Sequence, residues 1–305
     1  MRPVLGFPAL AGMAYPQLEA QGVLNVVTGP ADVAALPLRD RQAVRVLMTS
    51  ASRGCSADLI AALPNLGLVV SQGVGLDKID TTALTARAIR LRSVGEAATD
   101  DVADLAMALT QMLCRGLVRA DAFARSGAWE QGRFEMGDSL VGMTMGIAGL
   151  SGRIGQAIAA RARAARMKIA GLNRGSNQGL DATLCNTWAD LARASDVLVL
   201  AVPGSDDLTH VIDADVLAAL GPKGRLVNVG RGNLVDTQAL ITALETGIIA
   251  GAALDVLESE PHVPARLAAL PNLILSPHIG AQTWGQRARG AAIAEAEVLA
   301  YLNKA

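Results

Sequence analysis

Three side chains that could do chemistry stand where apolar runs end in the last quarter of this 305-residue chain. They are Arg231 in VNVGRGNLVD, Glu260 in ALDVLESEP and His278 in LSPHIG. Each follows a run that reads as a buried strand, so each falls at a strand's carboxyl end, where doubly wound sheets bind ligands. An Arg placed there can clamp a carboxylate through its planar fork, and a His beside a carboxylate can hold and give up a proton near neutral pH. Taken singly, Arg231 could cap a helix, Glu260 could be a loop carboxylate and His278 a satisfied turn residue. Their succession is what points to a site.

A second constellation precedes them. GIAGLSGRIG (146–155) places glycines at 149, 152 and 155, which reads G-x-x-G-x-x-G where a dinucleotide turn reads G-x-G-x-x-G. Gly152 would let the backbone approach a pyrophosphate and Gly155 would let the helix pack closely on its strand. The helix start at Arg153 and Ile154 would offer N–H donors to phosphate. A turn that needs glycine only for its backbone angles fits the same letters. Two accounts of the spacing stay open: Leu150 occupies the first glycine position, or Gly149 makes the tight turn and Ser151 is an inserted residue whose hydroxyl could meet a phosphate. The next strand ends in LNRGSN, where Asn173 stands about where an acidic residue would bind a ribose 2′-OH. Arg174 and Ser176 offer the equipment for a 2′-phosphate instead, unless they form an ordinary polar loop.

Such residues need a scaffold, and the composition allows one. Half the residues are apolar and the eight aromatics are few, so Ala, Val, Leu and Ile must build the core. A net charge of −1 without a basic run argues against nucleic acid or a polybasic membrane patch as partner. Cys55, Cys114 and Cys185 have no metal or redox-motif spacing and read as reduced thiols in a cytoplasmic protein. Proline and glycine break up the opening MRPVLGFPALAGMA, which reads as a first strand rather than a signal peptide, and no apolar run reaches the ~18 residues of a membrane span.

Strands are expected at 44–48, 67–71 and 89–94, with helices at 56–63, capped by Ser56, and 81–88. TDDVADLAMALTQMLCRGLVRADAFARSG (99–127) reads as one helix, capped by Thr99 with Asp100 and Asp101 at the positive dipole end, crossing between two domains. From 143 the β/α alternation restarts and runs to LILSP, predicting an α/β protein of doubly wound parallel sheets. The last twenty residues read as a helix that returns to the first domain. The expected division is 1–98 plus 282–305 as a discontinuous substrate-binding domain and 99–281 as the dinucleotide-binding domain.

QGVGLDKID (72–80), TDDVADLA (99–106), GRIGQAIA (152–159), LVNVGRGNLVD (226–236), GAALDVLESEP (251–261) and LSPHIG (275–280) together resemble the D-isomer-specific 2-hydroxyacid dehydrogenases over nearly the whole chain. The Asn173-Arg174 pair is similar to that of NADP-preferring members that reduce glyoxylate, hydroxypyruvate or hydroxyphenylpyruvate. The resemblance implies two doubly wound domains, the second a Rossmann dinucleotide-binding domain, with the active site in the cleft between them. It implies NADP as preferred cofactor, with NAD as the alternative, and a small 2-keto acid as substrate. Dinucleotide contacts would come from Gly149, Ser151, Gly152, Arg153, Ile154, Gly155, Asn173, Arg174 and Ser176, and from Val202, Pro203, Val229, Gly230, Asp255 and Gly280. Arg231 would hold the substrate carboxylate and carbonyl oxygen, helped by the amides of Val74 and Gly75. His278 would be the proton donor, with Glu260 beside it favouring the imidazolium. Arg53, in TSASRGCSAD, could bind a second anionic group or face solvent, the second being preferred. Trp284 could line a pocket or pack at a domain or dimer contact. A homodimer is implied, with the helix from Thr99 contributing to the interface. The alternatives are a dinucleotide-binding regulator that turns nothing over, against which the Arg, Glu and His set argues, and a relative acting on formate or phosphite.

Overall fold

The apolar runs of the chain form parallel strands buried on both faces. A computed structural model describes residues 2–9 and 11–304. The chain divides into two units, Met1–Ala98 with Ala281–Ala305, and Thr99–Gly280.

The first unit holds β1 (Val4–Gly6), β2 (Leu24–Val26), β3 (Val46–Ser50), β4 (Leu68–Gln72) and β5 (Arg90–Ser93), in the order β2-β1-β3-β4-β5 and all parallel. Side chains alternate along each strand with period two. Leu5, Leu47 and Val69 therefore join Leu59 and Ile60 of the helix Ala57–Ala62 in one core cluster. Val4, Val46, Met48, Leu68 and Val70 join Ala291, Ala294 and Val298 of the closing helix Trp284–Lys304 in another. Covering both faces is what makes the central strands β1, β3 and β4 predominantly apolar. Ser56 caps its helix as expected, its hydroxyl accepting the Leu59 amide at 3.3 Å.

The second unit holds β6 (Thr144–Ala148), β7 (Lys168–Leu172), β8 (Thr183–Cys185), β9 (Val197–Leu200), β10 (Arg225–Asn228), β11 (Gly251–Leu254) and β12 (Leu273–Leu275). They form one parallel sheet in the order β12-β11-β10-β9-β6-β7-β8. Counted from β6, the first six follow the Rossmann order, which reverses direction between β6 and β9 and opens the crevice at that switch point.

One expected helix is two. Thr99–Arg115 and Leu117–Arg125 are separated by Gly116, whose φ of +59° puts it in the left-handed region. Amphipathic periodicity on both sides of a single glycine hides such a break, because glycine within a helix is tolerated at modest cost. Asp100 and Asp104 near the first helix's start pair with Arg161 of the helix Arg153–Ala164 at 3.0 and 2.6 Å. The three cysteines are buried and unbridged. Among the described residues no helix is long and apolar enough to cross a membrane.

Candidate active site

Five strands of the second unit end on one row. Ala148 pairs with Leu200, Leu200 with Asn228, Asn228 with Leu254, and Leu254 with Leu275. Segments 149–155, 201–203, 229–231, 255–260 and 276–280 therefore leave the sheet side by side. Every dinucleotide, Arg, Glu and His position expected in this half of the chain except those after β7 lies on them.

The structure joins Glu260 and His278 directly. Glu260 Oε2 lies 2.9 Å from His278 Nδ1, and its other oxygen accepts the Leu257 amide at 2.9 Å. The carboxylate is thus fixed at both oxygens, and it fixes the imidazole in turn. The pair is partly exposed, His278 at 52% and Glu260 at 38%, so solvent can exchange its proton. A pocket of about 370 Å³ reaches both residues, walled by Leu257, Val263, Leu275 and Pro277.

His278 has φ +54°, a left-handed conformation uncommon for a residue with a side chain. Asp255, 3% exposed, holds it there. Its carbonyl accepts the His278 amide at 2.8 Å. Its carboxylate accepts from Ser276 Oγ at 2.6 Å and from the Ile279 and Gly280 amides at 2.9 Å each. A Cβ at Gly280 would come within 3.1 Å of that carboxylate. Asp255 and Gly280, expected beside a cofactor, therefore also build the turn that presents the histidine.

Arg231 sits in an equally fixed turn. Asn228, fully buried at the end of β10, donates to the Arg231 carbonyl at 2.8 Å and accepts the Gly230 amide at 3.0 Å. The flanking glycines are steric requirements: a Cβ at Gly230 would meet the Val202 carbonyl at 2.7 Å, and one at Gly232 the Leu257 backbone at 2.0 Å. Val229 and Gly230 are buried, and Val202 and Pro203 follow β9 beside them. Sequence reasoning passed over Asn228 and Ser276. An amide inside the apolar run LVNVG was the signal for the first, because a buried amide must find partners. A serine before Pro277 carried no comparable signal.

The glycine turn resolves in favour of an insertion. Gly149 makes the tight turn, with φ +91° and no room for a Cβ, which would lie 2.8 Å from the Ala201 carbonyl. Gly152 caps the helix, and a Cβ at Gly155 would strike the Gly149 carbonyl at 2.1 Å. Leu150 is fully buried against Gly171 of β7, so it plugs the core rather than filling a glycine's place. Ser151 is the extra residue, exposed on the outside of the turn. The amides that open the helix, at Arg153 and Ile154, have no carbonyl one turn earlier within it, the usual arrangement of an anion site. This bare backbone cradle fits a dinucleotide pyrophosphate. Asn173, Arg174 and Ser176 are exposed on the loop after β7, with Asn173 Nδ2 donating to Asn186 Oδ1 at 3.0 Å.

Another histidine, His210, lies on the loop after β9. Its Nε2 is 2.7 Å from Glu258 Oε1, and Glu258 Oε2 accepts from Thr237 Oγ1 at 2.9 Å. The hydrogen bond to Glu258 holds the His210 pKa above the ordinary histidine value.

Arg53, Val74 and Gly75 belong to the first unit. Val74 and Gly75 follow β4, in a turn where Ser93 Oγ donates to the Gly73 carbonyl at 2.8 Å. Arg53 is exposed yet tethered: its guanidinium donates to the Pro8 carbonyl at 3.0 Å and lies 5.6 Å from the Phe7 ring centroid. The preferred picture of a guanidinium facing only solvent is therefore incomplete. Trp284 is 73% exposed and lies against Gly12 of the same unit.

A Rossmann sheet with a glycine turn at its switch point and a histidine–carboxylate pair on the same edge is the arrangement expected of a nicotinamide-dinucleotide oxidoreductase. Comparison with known proteins makes the class specific. Residues 107–280 match the family described as D-isomer specific 2-hydroxyacid dehydrogenase, NAD binding domain. The chain is 45% identical over 243 residues to glyoxylate/hydroxypyruvate reductase A HPR2 of Arabidopsis thaliana, covering 80% of this chain and 77% of that protein. It is 41% identical over 242 residues to hydroxyphenylpyruvate reductase of Plectranthus scutellarioides, covering 79% and 77%. Among solved structures, it superimposes with a TM-score of 0.85 and 37% identity on the NADPH-dependent glyoxylate/hydroxypyruvate reductase SmGhrB of Sinorhizobium meliloti in complex with NADP and malonate, covering 99% of this chain and 94% of that one. The chain belongs to the D-isomer-specific 2-hydroxyacid dehydrogenase family, and its second unit is that family's NAD(P)-binding domain.

Proposed function

We propose that this protein reduces a small 2-keto acid, glyoxylate, hydroxypyruvate or a close relative, to the D-2-hydroxy acid with NADPH. The 2.9 Å contact between Glu260 and His278 on the edge that carries Arg231 and the glycine turn supports this reading most directly. A nicotinamide held at this edge would supply the hydride. Glu260 takes Nδ1 of His278, so the proton given to the keto oxygen leaves from Nε2. Asp255 keeps that ring at its post through the turn 276–280. Arg231 binds the substrate carboxylate and draws charge from the carbonyl, orienting the acid and stabilising the developing alkoxide. Gly149 and Gly155 shape the turn by packing on backbone, Gly152 would leave a pyrophosphate room at the helix start, and Arg174 and Ser176 would favour a 2′-phosphate on the adenosine ribose.

The working form is a cytoplasmic homodimer. Leu117, Val118, Trp129, Met136 and Val141 are all at least 47% exposed within one short stretch of the second unit, a concentration of apolar surface that monomers seldom leave in water. Three unbridged cysteines suit a reducing compartment. The test is loss of absorbance at 340 nm with NADPH or NADH against a panel of glyoxylate, hydroxypyruvate, pyruvate and phenylpyruvate-type acids. Turnover of at least one small 2-keto acid is the expected result. Tight NADPH binding without turnover of any acid would favour a dinucleotide-sensing regulator instead.

A further inference from the structure

We propose that Ser151, the residue inserted into the glycine turn, binds the 2′-phosphate of NADP together with Ser176 and so sets the choice between the two dinucleotides. This rests on the reading of the protein as an NADPH-linked reductase.

The insertion is geometrically directed. Gly149 turns the chain at φ +91° and Gly152 begins the helix, leaving two residues between them. Leu150 goes inward, fully buried against Gly171. Its carbonyl is held by Gln156 Nε2 at 2.6 Å. Ser151 is thereby turned outward, and its Oγ donates to Ser176 Oγ at 3.0 Å. A turn one residue shorter, with Gly149 followed by Leu150 and then the capping glycine, has no side chain at this place.

Ser176 arrives by a separately anchored route. It lies in the single turn Gly175–Asn177 after β7. Asn177, 4% exposed, closes that turn by donating its amide side chain to the Leu172 carbonyl at 2.8 Å and its backbone N–H to the Arg174 carbonyl at 2.8 Å. Two hydroxyls from two fixed loops thus stand within hydrogen-bond reach of each other, and each loop also carries an exposed arginine, Arg153 beside Ser151 and Arg174 beside Ser176.

The chemistry of this grouping selects a dianion. A phosphate only accepts hydrogen bonds, and both hydroxyls can rotate their protons onto it when they let go of each other. Guanidinium groups match phosphate geometry and bring the charge. An unphosphorylated ribose meets no carboxylate at the end of β7, because Asn173 is there, its Nδ2 donating to Asn186 Oδ1 at 3.0 Å. The hydroxyl pair is therefore worth more to NADP than to NAD. If it served only to tie the two loops together, both dinucleotides would feel its loss alike.

Dissociation constants for NADP+ and NAD+ by isothermal titration calorimetry, on the full chain and on Ser151→Ala and Ser151→Thr, decide the matter. For Ser151→Ala the expected result is NADP+ weakened about tenfold, the loss of one hydrogen bond to a charged group, with NAD+ changed by less than about twofold. Ser151→Thr keeps the hydroxyl and should keep most of the NADP+ affinity. Equal weakening of both dinucleotides, or an unchanged NADP+ constant, overturns the role of Ser151 while leaving an NADP preference of the unaltered protein intact. A tighter NAD+ constant in the unaltered protein overturns the NADPH reading itself, and the role of Ser151 with it.

Discussion

At the scale of the residue, the Glu260–His278 pair is held by groups that are not neighbours in sequence. Glu260 orients the His278 ring, while Asp255, buried and saturated with donors, holds the backbone that carries it. Replacing Asp255 with Ala leaves the buried Gly280 amide and the Ile279 amide without their acceptor. The expected cost is about 1–3 kcal/mol per unsatisfied buried group, read as a lowered midpoint in urea unfolding, with kcat falling as the histidine turn relaxes. An Asp255→Ala protein with unaltered stability would show that the turn holds itself. The candidate set Arg231, Glu260 and His278 was legible in the sequence because the three stand in succession where apolar runs end. The turn-building work of Asp255 was not, since it depends on which neighbouring loop folds back onto the same edge.

His210 gives a pH test on the same scale. The hydrogen bond to Glu258 raises its pKa, favouring the imidazolium more than in an ordinary histidine. The pair's contribution to stability is complete below the unfolded histidine value and is lost as pH rises through the higher folded one. His210 is substantially exposed, which keeps that contribution small. An NMR titration of the His210 ring should show a midpoint above that of a model histidine, moving down in Glu258→Gln. A midpoint indifferent to that substitution would remove the pairing from solution.

At the scale of the element, the glycine turn carries the sharpest prediction. A Cβ at residue 155 would sit 2.1 Å from a backbone oxygen that cannot swing away. Gly155→Ala should therefore push the helix off β6, lowering thermal stability and weakening both dinucleotides together. Binding and melting temperature equal to the unaltered protein's would mean that the turn is looser than this packing implies. Leu150 adds a core test: Leu150→Ala should cost about 2–5 kcal/mol, in the range of buried leucine truncations. The strand–turn–helix pattern was readable from spacing and composition, but the choice between Leu150 and Ser151 as the accommodated residue was not. Only the packing against Gly171 shows that Leu150 belongs to the core. The break at Gly116 escaped for a similar reason, because the apolar periodicity runs through it while the left-handed φ does not appear in the letters.

At the scale of the whole molecule, two parallel sheets of different strand order serve one chain, and their alternation of β and α elements was evident from the sequence. Apolar residues from 117 to 141 remain outside both cores, and they underlie the proposed dimer. Light scattering after size exclusion should give twice the 31.4 kDa chain mass, and Trp129→Glu with Met136→Glu should shift it toward the monomer. A monomer mass for the unaltered protein at micromolar concentration would contradict that assembly. Catalysis by the proposed proton donor has a more direct test. NADPH oxidation with glyoxylate and hydroxypyruvate should be rapid in the unaltered protein and reduced at least about a hundredfold in His278→Ala, the scale of losing a general acid, with NADPH binding retained. Near-normal turnover by His278→Ala would remove His278 from the reaction.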